Sequence, residues 1–250
     1  MAFFRRIFRI IALLVWFILT GLIALPFQIG GWKNIRRVSF VSRMWGTGVA
    51  WIINLKINLI GDLSSFKGGL IISNHQGYID IVTHSAAFPI RFTPKAEIAR
   101  WPFLGQMLGL SRPIWVDRTS KQKSSLLLEK FRDTMEHGIP LIVYPEGTSD
   151  NAANGLLPFK STPFEAVIAK KISMLPIITV YQSPPGYDSV AWYGDMTLLP
   201  HIWQLLSYPY ILANIYVLNI VLPDNRNRKE LATCIHDLMD KEWQIRKQIS

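Results

Sequence analysis

The sequence predicts an α/β fold, with a mainly parallel central sheet flanked by helices and a membrane-associated helical segment at the amino terminus. Short runs of Ile, Leu and Val recur along the chain, and residues typical of turns bound them. Longer segments with helical periodicity separate these runs, and strands that alternate with helices build a mainly parallel sheet. An uncharged apolar stretch from Ile10 to Trp32 predicts the helical attachment.

The strand predictions rest on β-branched and aliphatic content between turn residues. In chain order they cover 57–60, 70–73, 91–94, 114–116, 141–144, 175–181 and 211–221. The helix predictions rest on apolar periodicity, caps and the Gly or Pro that ends each helix. They cover 79–88, 101–110, 120–137, 163–171 and 228–248. We expect an amino-terminal anchor or helical hairpin over 1–55 and one α/β domain over 56–250.

Composition favours a lipid surface as the partner of this chain. Half of the 250 residues are hydrophobic, yet the formal net charge is +10. This pairing fits a protein on an anionic membrane. Nucleic acid is the other usual partner of a basic chain, but the sequence contains no nucleic-acid-binding motif and its aromatic residues lie in apolar runs. We therefore predict membrane lipids, and no nucleic acid, as partners.

The amino-terminal segment is basic at its start and apolar in its middle. No acidic residue precedes Asp62, whereas eight Lys and Arg residues do. Pro26 and Gln28 are expected to end the first helix early. Three interpretations compete: a spanning anchor, a re-entrant hairpin with 32–55, and a cleaved signal peptide. Because no small-residue cleavage site lies near Pro26, we favour a retained anchor.

A single cysteine, Cys234, excludes an intramolecular disulfide and agrees with a reducing compartment. No His or carboxylate cluster has the spacing of a metal site, so we predict no metal.

Two polar clusters follow predicted strands. His75 and Asp80 come after the run 70–72, with Asn74 and Gly77 suited to a turn between strand and helix. Residues five apart diverge on a straight helix, so the pair can meet only if His75 lies at or before the helix start. A neutral imidazole there acts as a general base near pH 7, and the carboxylate orients it.

The second cluster, 144–148, follows the run 140–143. The alternative is that His75 and Asp80 are an incidental pair at a helix start, but two clusters at two strand ends favour a built site. Neither stretch contains a Ser or Cys that stands out as a nucleophile. We therefore expect a substrate hydroxyl to attack an activated acyl group directly, without an acyl-enzyme.

At this point the chain resembles the glycerolipid acyltransferase family. The resemblance covers roughly 55–225, and its blocks occur in the family's order. They are Asn74 to Asp80, Lys95 through Gly105, Ile114 to Arg118, Tyr144 to Thr148, Leu157 to Lys160, and Leu175 to Ile177. The family's two-helix membrane motif supports the hairpin interpretation of 1–55.

The resemblance implies transfer of a fatty acyl group from acyl-CoA or acyl-carrier protein to the hydroxyl of a lysolipid, with no further cofactor. It assigns His75 as the base and Asp80 as its partner. It also assigns binding of the acceptor's head group to a set of residues, to which we add two lysines from the motif blocks. These are Arg118, Glu146, Gly147 and Thr148, together with Lys95 and Lys160. The donor thioester predicts the cytoplasmic face of the inner membrane as the location.

One departure concerns the acceptor. Family members that act on phosphate acceptors commonly have Arg directly after Glu-Gly-Thr, where this chain has Ser149 followed by Asp150. Lysophosphatidic acid remains the first expectation, and lyso-ornithine lipid or another lysophospholipid is the alternative. A lipid-binding protein without catalysis is the hypothesis from another class. The presence of His75, Asp80 and Glu146 disfavours it.

Overall fold

The structure is a computed structural model that describes residues 2–102, 104–117 and 121–248, with the backbone alone at 121–123. Its centre is one five-stranded sheet. The strands are β1 Leu55–Ile60, β2 Leu70–Ser73, β3 Leu141–Val143, β4 Met174–Gln182 and β5 Ile211–Val217. Their order across the sheet is β1-β5-β4-β2-β3. All neighbouring pairs are parallel except β4 with β5. The predicted mainly parallel sheet is confirmed, with one antiparallel pair.

Helices cover both faces of this sheet. They are α1 Ala2–Ala24, α2 Trp32–Ile53, α3 Ile79–Ala87, α4 Leu104–Gly109, α5 Lys121–Glu136, α6 Glu165–Ile168, α7 Leu198–Leu205 and α8 Arg228–Arg246. Alternate residues of β2 point to opposite sides. Leu70 and Ile72 pack with residues of α5, α6 and α8, whereas Ile71 packs with Phe88 and Phe92 on the other face. This alternation is the two-residue period of a strand buried on both faces.

Two predicted strands are wrong. Residues 91–94 and 114–116 form only isolated bridges, from Arg91 to Leu141 and from Lys95 to Val116. Pro94 and Pro113 interrupt these segments, and proline has no N–H to donate to a ladder. A few hydrogen bonds between the two segments remain, such as Ile114 N–H to the Phe92 carbonyl at 2.9 Å.

The helix predictions differ from the structure at two places. The predicted helix over 163–171 is a 3-10 turn, Thr162–Phe164, followed by the single turn α6. Helix α7 has no counterpart among the predictions, since Pro200 lies inside it. Proline is tolerated in the first turn, where its missing N–H would have had no helical partner.

The amino-terminal helices form a hairpin. Helix α1 ends at Ala24 and the 3-10 turn Leu25–Phe27 holds Pro26, as expected. Residues 2–27 are long and apolar enough to cross a membrane, and their most apolar 18-residue window has a mean hydropathy of 2.6 and is 11% buried. Helix α2 packs on α1 and α3 and leads through Asn54, in the left-handed conformation, into β1. The division of the chain at residue 55 stays a prediction.

Candidate active site

The turn between β2 and α3 brings His75 and Asp80 into contact. His75 follows the last residue of β2, and Asp80 lies in the first turn of α3. Nδ1 of His75 is 2.7 Å from Oδ2 of Asp80. The predicted strand-to-helix turn is therefore the geometry that joins two residues five positions apart.

Four donors surround the buried Asp80 carboxylate. Besides His75, the backbone N–H groups of Gln76 and Gly77 donate to Oδ2 at 2.7 and 3.2 Å, and the Tyr181 hydroxyl donates to Oδ1 at 2.7 Å. Burial raises the pKa of Asp80, but the hydrogen bond and the charge interaction with His75 outweigh it, so the pKa is lowered overall. Asp80 is therefore held as the anion, which fixes the proton of a neutral His75 on Nδ1.

The backbone of His75 is held on both sides by the segment after β3. The His75 N–H donates to Oε1 of Glu146 at 2.8 Å, and the His75 carbonyl accepts from the Asp150 N–H at 2.9 Å. Strands β2 and β3 are parallel neighbours, so the segments after them meet at one edge of the sheet. The preceding residue, Asn74, exchanges two hydrogen bonds with the backbone of Thr179 on β4.

Glu146 is a buried support of this turn. Its second carboxylate oxygen, Oε2, accepts from the Leu157 N–H at 3.1 Å. Burial raises the pKa of Glu146 to about 7, against the opposing effect of the two amide hydrogen bonds. Sequence reasoning predicted a head-group contact for this residue and missed its contact with the His75 backbone. Binding of the acceptor by Glu146 stays a prediction.

The other predicted head-group residues lie near this turn or at the surface. Gly147 has a φ of +77°, and an added Cβ would overlap the side chain of Lys160, so the Lys160 ammonium lies against the Gly147 backbone. Thr148, Lys95 and Lys160 are exposed. Lys95 pairs through its backbone with Val116. Arg118 lies outside the described residues. The head-group roles of all these residues stay predictions.

A second histidine lies behind His75 and gave no signal in the sequence. The rings of His75 and Tyr144 stack, with centroids 4.4 Å apart and an interplanar angle of 23°. The Tyr144 hydroxyl is 2.8 Å from Nδ1 of His84, whose Nε2 is 2.8 Å from the Thr179 hydroxyl. Burial lowers the pKa of His84 to about 4, so it is neutral near pH 7. His84 thus anchors the aromatic ring that supports His75.

An apolar cavity of about 380 Å³ adjoins His75. Its walls come from α1, α2, α3, α4 and α7. They include Leu13, Phe17, Trp45, Val49, Tyr78, Leu108, Ile202 and Leu205. Because the lining residues are scattered from residue 13 to residue 206, no local pattern in the sequence could have predicted the cavity. Its size and apolar walls suit a hydrocarbon chain.

The carboxyl-terminal helix holds the loop 150–157, which itself supports His75 and Glu146. Trp243 donates from Nε1 to the Ala152 carbonyl at 2.9 Å, and Asp240 accepts from the Leu156 N–H at 2.8 Å. Ala152 is buried with a φ of +51°, so these contacts stabilise a strained backbone. Helix α8 is therefore part of the scaffold of the site.

No group of three or more His, Cys, Asp or Glu side chains that could hold a metal occurs in the part of the chain that the structure describes.

Comparisons with known proteins agree with this geometry. The family model "Acyltransferase" matches residues 56–180, half of the chain. The lyso-ornithine lipid O-acyltransferase of Brucella abortus is 28% identical over 221 residues, which cover 80% of this chain and 79% of that protein. The 1-acyl-sn-glycerol-3-phosphate acyltransferase of Neisseria gonorrhoeae is 27% identical over 207 residues, which cover 82% and 80%.

A solved structure has the same fold. It is the crystal structure of the 1-acyl-sn-glycerophosphate acyltransferase PlsC from Thermotoga maritima, with a TM-score of 0.70 and 15% sequence identity. The match covers 98% of this chain and 95% of that one. The chain belongs to the acyltransferase family and is an acyltransferase.

Proposed function

We propose that this protein is a membrane-bound lysolipid O-acyltransferase that joins a fatty acyl group to the free hydroxyl of a lysolipid. The observation that carries the proposal is the His75–Asp80 pair at the wall of an apolar cavity. Asp80 occupies Nδ1, which leaves Nε2 for the substrate, and the His75 side chain is 23% exposed. A base and a space for a hydrocarbon chain thus adjoin each other.

In the proposed reaction, Nε2 of His75 takes the proton of the acceptor hydroxyl as its oxygen attacks the thioester carbonyl. The tetrahedral intermediate collapses, the C–S bond breaks and an ester forms. The imidazolium returns its proton to the sulfur, so a thiol leaves and His75 is again neutral. Asp80 stabilises the imidazolium between these steps. The amides of Gln76 and Gly77 already donate to Asp80, so oxyanion donors must come from elsewhere.

Lysophosphatidic acid is the first acceptor we propose, as in the Neisseria relative's name. Lyso-ornithine lipid is the second, and two observations favour it. This chain has Ser149, followed by Asp150, where family members that act on phosphate acceptors commonly have Arg. An acceptor phosphate would therefore meet one cation fewer at this position. Relatives from Brucella abortus and Rhodobacter capsulatus carry the lyso-ornithine name, the latter 32% identical over 181 residues, 66% of this chain and 64% of that protein.

The donor we propose is a long-chain acyl thioester of coenzyme A or of acyl-carrier protein. Both carriers are acidic, and the net charge of +10 on this chain favours association with either of them. Both occur in the cytoplasm, which supports a site on the cytoplasmic face of the inner membrane.

We also propose that the α1–α2 hairpin is retained and lies in one leaflet. The buried Arg9 of α1 donates to the carbonyls of Ile52, Leu206 and Tyr208 at 3.1, 3.1 and 2.6 Å. These contacts attach the start of α1 to the α/β domain. The outer face of α1 exposes many large apolar residues, including Phe4, Ile18 and Leu22. A helix with one face on a protein and the other apolar fits the bilayer interface.

The test is acyl transfer by the detergent-solubilised protein from radiolabelled long-chain acyl-CoA, or acyl-carrier protein, to a panel of lysolipids. We expect His75→Ala to abolish transfer and His137→Ala, at an exposed histidine on the far end of α5, to retain it. Transfer to lysophosphatidic acid or to lyso-ornithine lipid decides between the two acceptors. Normal turnover by a folded His75→Ala protein would exclude the mechanism. No transfer from either donor would favour a lipid-binding role.

A further inference from the structure

Helix α7 has two apolar faces. Leu198, Ile202 and Leu205 face inward and line the cavity beside His75. Leu199 and Trp203, one helical turn apart, face outward and are 75% and 40% exposed. Apolar residues on two sides of a helix are normally buried in a protein or in lipid, and the polar residues of α7, His201 and Gln204, have partners in the protein. The inner face is buried in this structure, whereas on the outer face Leu199 is largely exposed and Trp203 is covered only in part.

The segment that contains α7 has no charged residue, and its acidic neighbours include Asp195, which precedes it, and Asp188, which accepts from Gln204. The sequence from Met196 to Pro223 has no Asp, Glu, Lys or Arg. Met196, just before the helix, is also 40% exposed. Charged residues are normally frequent on a water-facing surface, and their absence from the 196–223 segment, together with its exposed Leu199 and Trp203, indicates a surface that contacts something apolar.

The arginines of α1 join α7 to the outer face of the hairpin. Arg6 donates from Nε to the Trp203 carbonyl at 3.0 Å, and its guanidinium lies 5.0 Å from the centre of the Trp203 ring. Arg5 donates to the Ser207 carbonyl at 2.6 Å. Phe3, one turn before Arg6 on α1, is 59% exposed. The exposed apolar residues of α1 and α7 thus form one continuous surface with arginines within it.

We propose that the outer face of α7 is a second bilayer-contact element, which docks the α/β domain itself on an anionic leaflet. The inference rests on the proposed membrane association and adds a contact site outside the α1–α2 hairpin. Trp is favoured at the interface between lipid and water, and Arg5 and Arg6 attract anionic head groups. Helix α7 then lies between the leaflet and the cavity beside His75.

The lone cysteine allows a direct test. In a Cys234→Ser background, we would introduce Leu199→Cys on α7, Ile18→Cys on α1 and Lys241→Cys on α8, and label each with an environment-sensitive fluorophore. Ile18 is 63% exposed on the hairpin, and Lys241 is exposed on the helix at the opposite face of the sheet. The full-length proteins are mixed with vesicles of phosphatidylethanolamine and phosphatidylglycerol. Emission and quenching by spin-labelled lipids and by iodide are recorded.

We expect the probes at 199 and 18 to shift to the blue and to be quenched by spin-labelled lipids, whereas the probe at 241 stays open to iodide. A lipid-protected probe at 18 with an iodide-accessible probe at 199 would overturn the α7 inference and leave the hairpin proposal intact. Iodide access at both positions would reject membrane association altogether, and the α7 inference with it.

A charge substitution gives a second readout. Leu199→Glu should weaken vesicle binding about tenfold, because a carboxylate replaces a side chain that lipid would cover. The matched Lys241→Glu variant changes charge by more but lies on α8, and should bind within about twofold of the parent. Equal binding by Leu199→Glu and the parent would contradict the proposal.

Discussion

His75 and His84 both contact Tyr144, but they have different surroundings. His75 stacks on the Tyr144 ring, its Nδ1 contacts Asp80, and the residue lines the cavity. Both ring nitrogens of His84 are occupied, by the Tyr144 hydroxyl and by Thr179. His84 is fully buried, and burial lowers its pKa to about 4. An imidazole with one nitrogen unoccupied beside a substrate-sized space therefore suits a general base, and a buried imidazole with both nitrogens occupied does not.

Substitution of His75 should reduce kcat far more than substitution of His84. His75→Ala should lower kcat on the order of 10²–10⁴-fold, the range for loss of a general base. His84→Asn should lower kcat no more than about tenfold, because Asn can still accept from the Tyr144 hydroxyl. The measurement is steady-state transfer to the preferred lysolipid, with far-ultraviolet circular dichroism to confirm folding. Equal losses of kcat in the two variants would contradict the assignment of the base to His75 alone.

Asp80→Asn tests the partner that distinguishes His75 from His84. The amide cannot stabilise an imidazolium as a carboxylate does, and its NH₂ group can favour the wrong tautomer of His75. We expect kcat to fall on the order of 10²–10³-fold with little change in KM. Near-parent kcat in this variant would show that Asp80 only shapes the turn.

Tyr181→Phe tests a residue that contacts Asp80 and not His75 itself. The hydroxyl donates to Oδ1 of the buried Asp80 at 2.7 Å and also lies 2.8 Å from the Thr83 hydroxyl. A hydrogen bond to a charged group contributes about 1.5–3 kcal/mol, so we expect an approximately tenfold lower kcat. The control is Tyr187→Phe, on an exposed loop. A loss confined to KM would argue against a role in positioning Asp80.

Glu146, which supports the His75 backbone, and His84 should affect the pH dependence of stability in opposite directions. Burial raises the pKa of Glu146 to about 7, so between about pH 4.5 and 7 the folded protein binds more protons than the unfolded chain. Glu146 therefore lowers the free energy of unfolding as pH rises. The pKa of His84 is lowered to about 4, so between about pH 4 and 6.5 the unfolded chain binds more protons than the folded protein. His84 therefore raises the free energy of unfolding as pH rises through this range.

Removing either group should leave the pH dependence of stability that the other group causes. Relative to the parent, Glu146→Gln should gain thermal stability, and His84→Asn should lose it, as pH rises from about 5 to about 6.5. The measurement is the unfolding midpoint by tryptophan fluorescence at both pH values in detergent. Parallel pH profiles in the parent and both variants would contradict the assigned directions.

The smallest expected effect lies furthest from His75. Trp243→Phe keeps an aromatic ring in the core but removes the donor to the Ala152 carbonyl. We expect about 1 kcal/mol lower stability, as for a lost buried hydrogen bond, and a kcat about two- to threefold lower through the loop 150–157. The exposed Lys241→Ala on the same helix is the control. Unchanged kcat with lowered stability would make α8 purely structural.

The sequence predicted the parts of the site that depend on nearby residues. The run before His75, the turn at Gly77 and the five-residue spacing to Asp80 together predict the strand, the turn and the contact between the pair. Pro26 predicted the end of the first helix in the same local way, whereas the hairpin was favoured by the family resemblance and not by hydropathy alone. The strands expected at 91–94 and 114–116 failed because apolar content outweighed the prolines in that prediction.

The amino-acid sequence by itself thus determined the contact between His75 and Asp80 and the strand and helix that carry them, because neighbours in the chain are neighbours in space there. Only the tertiary structure decided that Tyr181 holds Asp80 across 101 positions and Asn74 pairs with Thr179 across 105. It also decided that Glu146 supports the His75 backbone, that His84 is neutral and occupied, and that five helices enclose the cavity. These features depend on which strands lie side by side, and that order is set by packing of the whole core.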